Sequence, residues 1–394
     1  MGKEFLRKSD DMIYFDNSAT TMIHPQVLDT YNKVSQRFMG NPSSLHRLGQ
    51  QSSVLLEKSR VQIADILGVE SSEIFFTSGG TEGNNWVIKG TAIEKRSFGN
   101  HIIVSSVEHP SVSNTAKQLE ELGFKVSFCP VDRNGMIDCH DLEQLITEET
   151  ILVSTVAVNS EVGMVQRIKE ISTLLENYPS IHYHVDAVQA ITKLSVDKFL
   201  TPRVDFMTCS AHKFQGPRGI GFVYWRSGAK LSPLLTGGGQ EHNKRSGTEN
   251  TPAIVAMAKA MRIATDDQEM KEQKMRHLKN ALAAGLQQYE HVTIFSSLDD
   301  DSSAPHILTF GLKKVRGEVL VHAFEDKDIY ISTTSACSSR QKTDSSTLHA
   351  MGVTHRFAET AVRISLNHQN TIAEVEQFLV IFNQLYNKFS KIYS

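Results

Sequence analysis

From residue 73 to residue 187 the chain alternates between short β-branched runs and stretches with helical spacing, and no other feature limits its fold as much. The runs "EIFF" (73–76), "HIIVSS" (101–106), "KVSF" (125–128), "ILVSTVAV" (151–158) and "IHYHVDA" (181–187) read as strands. "SNTAKQLEELG" and "RIKEISTLLENY", lying between them, carry apolar residues at helical intervals. This alternation predicts an α/β fold with a mostly parallel central sheet and helices on both faces. "VDFMTCSAH" and "GIGFVYW" are only about ten residues apart, too close for a crossover helix, so an antiparallel pair is expected there. A helical pattern from about Ile254 to Tyr289 leads into a smaller α+β domain. Its strands are expected in "HVTIFSS", "HILTFGL" and "AVRISLN", and its last helix in "TIAEVEQFLVIFNQLYNKF". The acidic run 299–303 is the most linker-like stretch.

Composition narrows the function. The 394 residues leave room for about two or three domains of ~150 residues. With 41 Lys and Arg against 44 Asp and Glu, the net charge of −3 gives no general attraction to nucleic acid, so no direct nucleic-acid partner is expected. The opening "MGKEFLRKSDD" has no apolar signal region and no apolar run approaches the ~18 residues of a membrane span. The expectation is a soluble, cytoplasmic protein without a membrane partner. Cys129, Cys139, Cys209 and Cys337 form no CxxC and are too dispersed for a zinc site, so no metal is expected and the thiols read as free. Cys337 sits in "TTSACSS", where filler, disulfide partner, metal ligand and nucleophile all remain open from the loop alone.

Ligands of open α/β sheets bind beyond the carboxyl ends of the strands. After "EIFF" comes "TSGGTEGNN", whose Gly80 and Thr81 open a helix. Backbone amides at such a start suit a phosphate, although a plain helix cap accounts for them too. "VEHPS" places His109 before a helix-opening proline, a common capping position. "NSEVG" offers Asn159, and "HVDAVQ" offers Asp186 with Gln189 one turn on, Asp186 being by itself an ordinary N-cap candidate. "SAHKFQGPRGIG" brings Ser210, His212 and Lys213, and a lysine beside a phosphate site can form a Schiff base with a cofactor aldehyde. An acid for a pyridinium nitrogen, a lysine for an aldehyde and a glycine-rich helix start are together the three handles of pyridoxal 5′-phosphate.

With these pieces in place the chain resembles the cysteine desulfurases of the iron–sulfur-cluster and nitrogen-fixation type. The likeness is carried by "YFDNSATT", "GNPSSLH", "FTSGGTEGNN", "EHPSV", "VNSEVGMVQ", "HVDAVQA", "SAHKFQGPRGIG", "GGGQEHNKRSGTEN", "SACSS" and "AVRISL", in the family's order. It implies fold type I of the pyridoxal-phosphate enzymes and a homodimer. The implied division is an N-terminal segment 1–24 joining the small domain, a large cofactor-binding domain 25–262, and a small domain 263–394 carrying the cysteine loop. Lys213 would hold the cofactor as a Schiff base, Asp186 would face the pyridine nitrogen, and Gln189 the ring hydroxyl. His109 would stack on the ring and move protons. Gly80, Thr81, Ser210 and His212 would bind the phosphate, with Thr248 reaching the phosphate of the neighbouring subunit. Arg363 would clamp the carboxylate of L-cysteine, helped by Asn41 and by Asn159, which would also touch the cofactor.

Cys337 would then take the sulfur, leaving alanine, and pass its persulfide to an acceptor protein for iron–sulfur cluster assembly or for thiolation of tRNA or thiamine. Residues 332–346 lack apolar periodicity, which predicts an arm that carries Cys337 between pocket and surface. A selenocysteine lyase or related pyridoxal-phosphate lyase is the alternative enzyme, and an inactive binding subunit the alternative class. The chain departs from the family in "SSRQKTDSSTLHAMG" after Cys337, and in His242 and Asn243, where arginine and glycine are usual.

Overall fold

Branched apolar runs buried on both faces build most of the central sheet, as parallel strands packed between helices demand. The computed structural model describes residues 12–334 and 346–390. Its strands are β1 (Ile13–Tyr14), β2 (Ile74–Thr77), β3 (His101–Ser105), β4 (Lys125–Cys129), β5 (Thr150–Val156), β6 (His182–Asp186), β7 (Phe206–Ser210), β8 (Gly221–Trp225), β9 (Val292–Ile294), β10 (Ile307–Leu312), β11 (Ile329–Tyr330), β12 (Ser332–Thr333) and β13 (Ala361–Ser365). Contacts divide the chain into two units. One comprises 20–159 and 165–268, the other 1–19, 160–164 and 269–394. The joints thus fall at 19/20 and 268/269, where the sequence suggested 24/25 and 262/263, and a five-residue excursion joins the second unit.

In the larger unit the strands run in the order β2-β8-β7-β6-β5-β3-β4. All neighbours are parallel except β8, which lies antiparallel to both β2 and β7. The closely spaced pair therefore folds as expected. Because β8 alone runs backwards, the carboxyl ends of β2, β7, β6, β5 and β3 share one edge. Thr77 and Ser210 flank Gly221 there, one on each side. A Cβ on Gly221 would lie 2.4 Å from the Cys209 carbonyl and 2.8 Å from Gly79 Cα, so only glycine lets the turn after β2 close on this edge.

Helix starts repeat one device. Pro25 and Pro110 each stand at the first helical position, and His24 and His109 before them accept a main-chain N–H through the ring. The long helical pattern after residue 250 is two helices, Thr251–Thr265 and Gln268–Leu286. The break falls at Asp266 and Asp267, the latter at φ +53, which no continuous helix allows.

The smaller unit pairs β12-β13-β10-β9 in one antiparallel sheet and β1 with β11 in parallel. Phe378 and Phe382 of the last helix, Ile372–Ser390, pack with Phe15, Phe310 and Phe324 as its core. The excursion 160–164 is bound in throughout. Ser160 carbonyl accepts from Arg363, Glu161 carbonyl from Thr309 Oγ1, and Gly163 carbonyl from Ala304 N–H. The run 299–303 is no linker. It is a folded turn of this unit in which Asp299 accepts from Ser302 N–H and the buried Lys279 ammonium donates to Ser297, Ser303 and Ala304. No described helix is long and apolar enough to cross a membrane.

Candidate active site

The strand ends of the larger unit bring most of the expected residues to one edge. Asp186 closes β6 with one oxygen accepting from Val188 N–H at 3.0 Å and the other from Asn84 Nδ2 at 2.7 Å. Three residues on, Gln189 is buried. Lys213 ends the short turn after β7, beside buried Ser210. His212 turns its Nδ1 to Thr20 Oγ1 at 3.3 Å, and burial, with Lys213 and Arg218 adding to it, lowers its pKa to about 4. Asn159, after β5, donates to the Val107 carbonyl at 3.0 Å and so ties down the turn that presents His109.

The helix Gly80–Glu94 begins at this edge. Among the described residues no side chain caps it, and its N-cap Gly79 has φ +146, a conformation open only to glycine. A Cβ on Gly80 would lie 2.8 Å from Val188, and one on Gly83 2.6 Å from Thr208. The helix therefore lies tight on the sheet with its first-turn amides uncapped and Thr81 exposed. Uncapped amides and a positive helix end suit an anion.

His109 is the most constrained group. Its Nδ1 accepts from Ser111 N–H at 3.1 Å and meets Ser111 Oγ at 2.8 Å. Burial lowers its pKa, with Lys213 pushing the same way and Asp186 opposing. Its neighbour Glu108 is 5% exposed and has its pKa raised by burial, and further by Asp186, to about 8. One Glu108 oxygen accepts from Ser105 Oγ and from Val156 N–H, while the other is buried without a partner among the described residues.

Three expected residues lie elsewhere. Asn41, exposed between the first two helices, accepts Ser43 N–H in a local turn. Thr248 is exposed and follows a left-handed turn at Glu241, His242 and Asn243, with φ of 47°, 55° and 64°. Asparagine is the non-glycine residue best suited to that conformation, so the departure at 243 keeps the turn. Arg363, in the smaller unit, is buried and donates to the Ser160 carbonyl at 2.8 Å and to Asp16 at 3.0 Å. Cys337 and the segment 335–345 lie outside the described residues.

The sequence reading missed Asn84, Ser111 and Asp16. Asn84 had one readable signal. It stands one turn after Gly80 and next to Gly83, on the face that two glycines bring against the sheet.

A model of the aminotransferase class-V family matches residues 13–378. A "NifS/IcsS protein homolog" of Lactobacillus delbrueckii subsp. bulgaricus is 52% identical over 97% of this chain and 99% of its own. A "Cysteine desulfurase IscS" of Methanosarcina thermophila is 39% identical over 95% of this chain and 92% of its own. Among solved structures, a "NIFS-LIKE PROTEIN" superposes with a TM-score of 0.89 at 37% identity, over 95% of this chain and 99% of that one.

Proposed function

The chain belongs to the class-V aminotransferase family, among its cysteine desulfurases, and on that premise we propose that it takes sulfur from L-cysteine with the strand-end residues of its larger unit. That family depends on pyridoxal 5′-phosphate, and the observation that carries the reading is the edge where Asp186, Lys213, His109 and the uncapped start of helix Gly80–Glu94 come together. The glycine cradle and the uncapped amides fit a phosphate, and Lys213 fits an aldehyde. When bound, the cofactor supplies an electron sink for bonds at the substrate's α-carbon.

The chain's own residues do the rest. Gly80, Thr81, Ser210 and His212 hold the phosphate, and Thr248 of a second copy completes it, which makes a homodimer the working form. Asp186 holds the pyridine nitrogen, Gln189 the ring hydroxyl, and Asn159 fixes the turn bearing His109. His109 moves protons, and Arg363, aided by Asn41, orients the substrate carboxylate. The Cys337 thiolate attacks the substrate sulfur, so a carbon–sulfur bond breaks, a sulfur–sulfur bond forms, and alanine leaves. The persulfide then passes to an acceptor protein.

Purified protein loaded with pyridoxal phosphate and given L-cysteine should release alanine, and sulfide in the presence of a thiol. Lys213→Ala should release none. Cys337→Ser should still bind L-cysteine, seen as a spectral change, yet form almost no alanine in one turnover. Full alanine release by either variant would reject these assignments.

A further inference from the structure

Asn84 has no role in the reaction as described, yet it joins Asp186 to Ser111, the residue that holds His109. The Asn84 side chain is 1% exposed. One amide nitrogen reaches both Asp186, at 2.7 Å, and Ser111 Oγ, at 2.8 Å. Its oxygen is buried and has no partner among the described residues. The amide has only this orientation available, because turning it over would set its oxygen against the carboxylate of Asp186, acceptor against acceptor.

That orientation settles the hydrogens beyond it. Ser111 Oγ accepts a proton from Asn84, so its own hydrogen is left for His109 Nδ1, 2.8 Å away. The Ser111 main-chain N–H points at the same nitrogen from 3.1 Å. Nδ1 thus faces two donors and must be the lone-pair nitrogen. The proton of neutral His109 then belongs on Nε2.

We propose that Asn84 is a positioning residue for sulfur removal: through Ser111 it holds His109 as the Nε2–H tautomer and ties that ring to Asp186. This rests on the role given to His109 above. The charged groups acting on the ring are Asp186 from the end of β6 and Lys213 after β7. Burial favours the neutral ring, and the relay then decides which nitrogen keeps the proton. A ring that gives or takes protons at Nε2 with Nδ1 fixed behind it loses no time or energy to tautomer exchange.

Histidine-labelled full-length protein, with and without pyridoxal phosphate, would show both ring nitrogens of His109 in long-range 1H–15N spectra. His109→Asn, which keeps a capping oxygen, identifies the resonance. The wild type should show an unprotonated Nδ1. Asn84→Leu, similar in size but without donors, should shift the tautomer ratio about fivefold toward Nδ1–H, the worth of roughly one neutral hydrogen bond. Ser111→Ala should shift it the same way and serves if Asn84→Leu folds poorly. Unchanged resonances of buried His182 and His184 report an intact sheet. In both variants kcat should fall and its pH profile move, with KM little changed. A protonated Nδ1 in the wild type, or a ratio unmoved in both variants, would overturn the relay. A shifted ratio with an unmoved kcat profile would overturn its part in the reaction. Because the tautomer is read without substrate, either result is separate from a wild type that releases no alanine, which would instead reject the proposed function.

Discussion

Among the described residues each unit buries an arginine against an acid, and the two are finished differently. Arg60, in the larger unit, is 1% exposed, and every nitrogen of its guanidinium is used. Nη1 and Nη2 meet the two oxygens of Glu241 at 2.9 and 2.8 Å, Nη1 also reaches the Ile74 carbonyl, and Nε reaches Glu57 at 3.3 Å. The ring of Phe76 lies 4.7 Å below, and the Phe76 main-chain N–H donates to Glu241. Arg363, in the smaller unit, is 4% exposed. It holds one oxygen of Asp16 and one carbonyl, and its Nε is buried without a partner among the described residues. A buried charge with a partner on every nitrogen is suited to holding the fold together. One with a whole nitrogen in reserve is suited to an acceptor that comes and goes.

The largest effect expected is at the finished pair. Arg60→Met should leave Glu241 buried and uncompensated and cost about 3–5 kcal/mol in denaturant melts, with much of it recovered in Arg60→Met/Glu241→Leu. If Arg60→Met melts like the wild type, the contrast fails at its root. Glu108 extends the contrast to carboxyls, since one of its oxygens is unmatched. Burial raises its pKa from 4.5 to about 8 in the folded chain. The folded state therefore keeps a proton that the unfolded chain has released, so this contribution is full below pH 4.5 and is lost as pH rises toward 8. Glu108→Gln does not titrate and should gain on the wild type by up to about 1.4 kcal/mol per pH unit across that window. Parallel melts at pH 5 and pH 8 check the sign, and an equal difference at both would refute it.

Arg363→Lys keeps the charge and loses the fork. KM for L-cysteine should rise roughly 10- to 100-fold while stability changes little. A stability loss matching that of Arg60→Met would make Arg363 a second structural arginine and erase the comparison. The smallest effect concerns Thr192, a β-branched residue at φ +64 whose hydroxyl is buried without a partner among the described residues. Thr192→Gly should raise the melting temperature slightly, by relief of about 1 kcal/mol of strain partly offset by chain entropy. A lower melting temperature would show the hydroxyl to be better satisfied than Arg363 Nε.

The two His-Pro pairs show how far the sequence could be read. His24 and His109 make the same ring-to-N–H cap, and that much is local and legible. What separates them is burial and the company of Asn84, from the helix Gly80–Glu94, and Asp186, from the end of β6. The strand ends carrying Asp186 and Lys213 were readable because alternation fixes where a parallel strand must stop. The excursion 160–164 was not, because "SEVGM" has no period of its own. It is held by partners such as Ala304 and Thr309 from the far part of the chain. The break at Asp267 was hidden for the opposite reason. A left-handed residue usually announces itself as glycine, and here it is aspartate.

The way the smaller unit is threaded bears on how the protein can be made. Its first strand, Ile13–Tyr14, lies beside Ile329–Tyr330, and its middle strip, 160–164, is held by Arg363, Thr309 and Ala304. A growing chain must therefore leave both pieces without their final partners until the last third has been synthesised. Closing so long a loop adds little entropy beyond that of a shorter one, but it makes the search slow. The same threading forbids cutting the protein into two working halves, since a piece begun at residue 269 would lack two of the strips around which it has to fold.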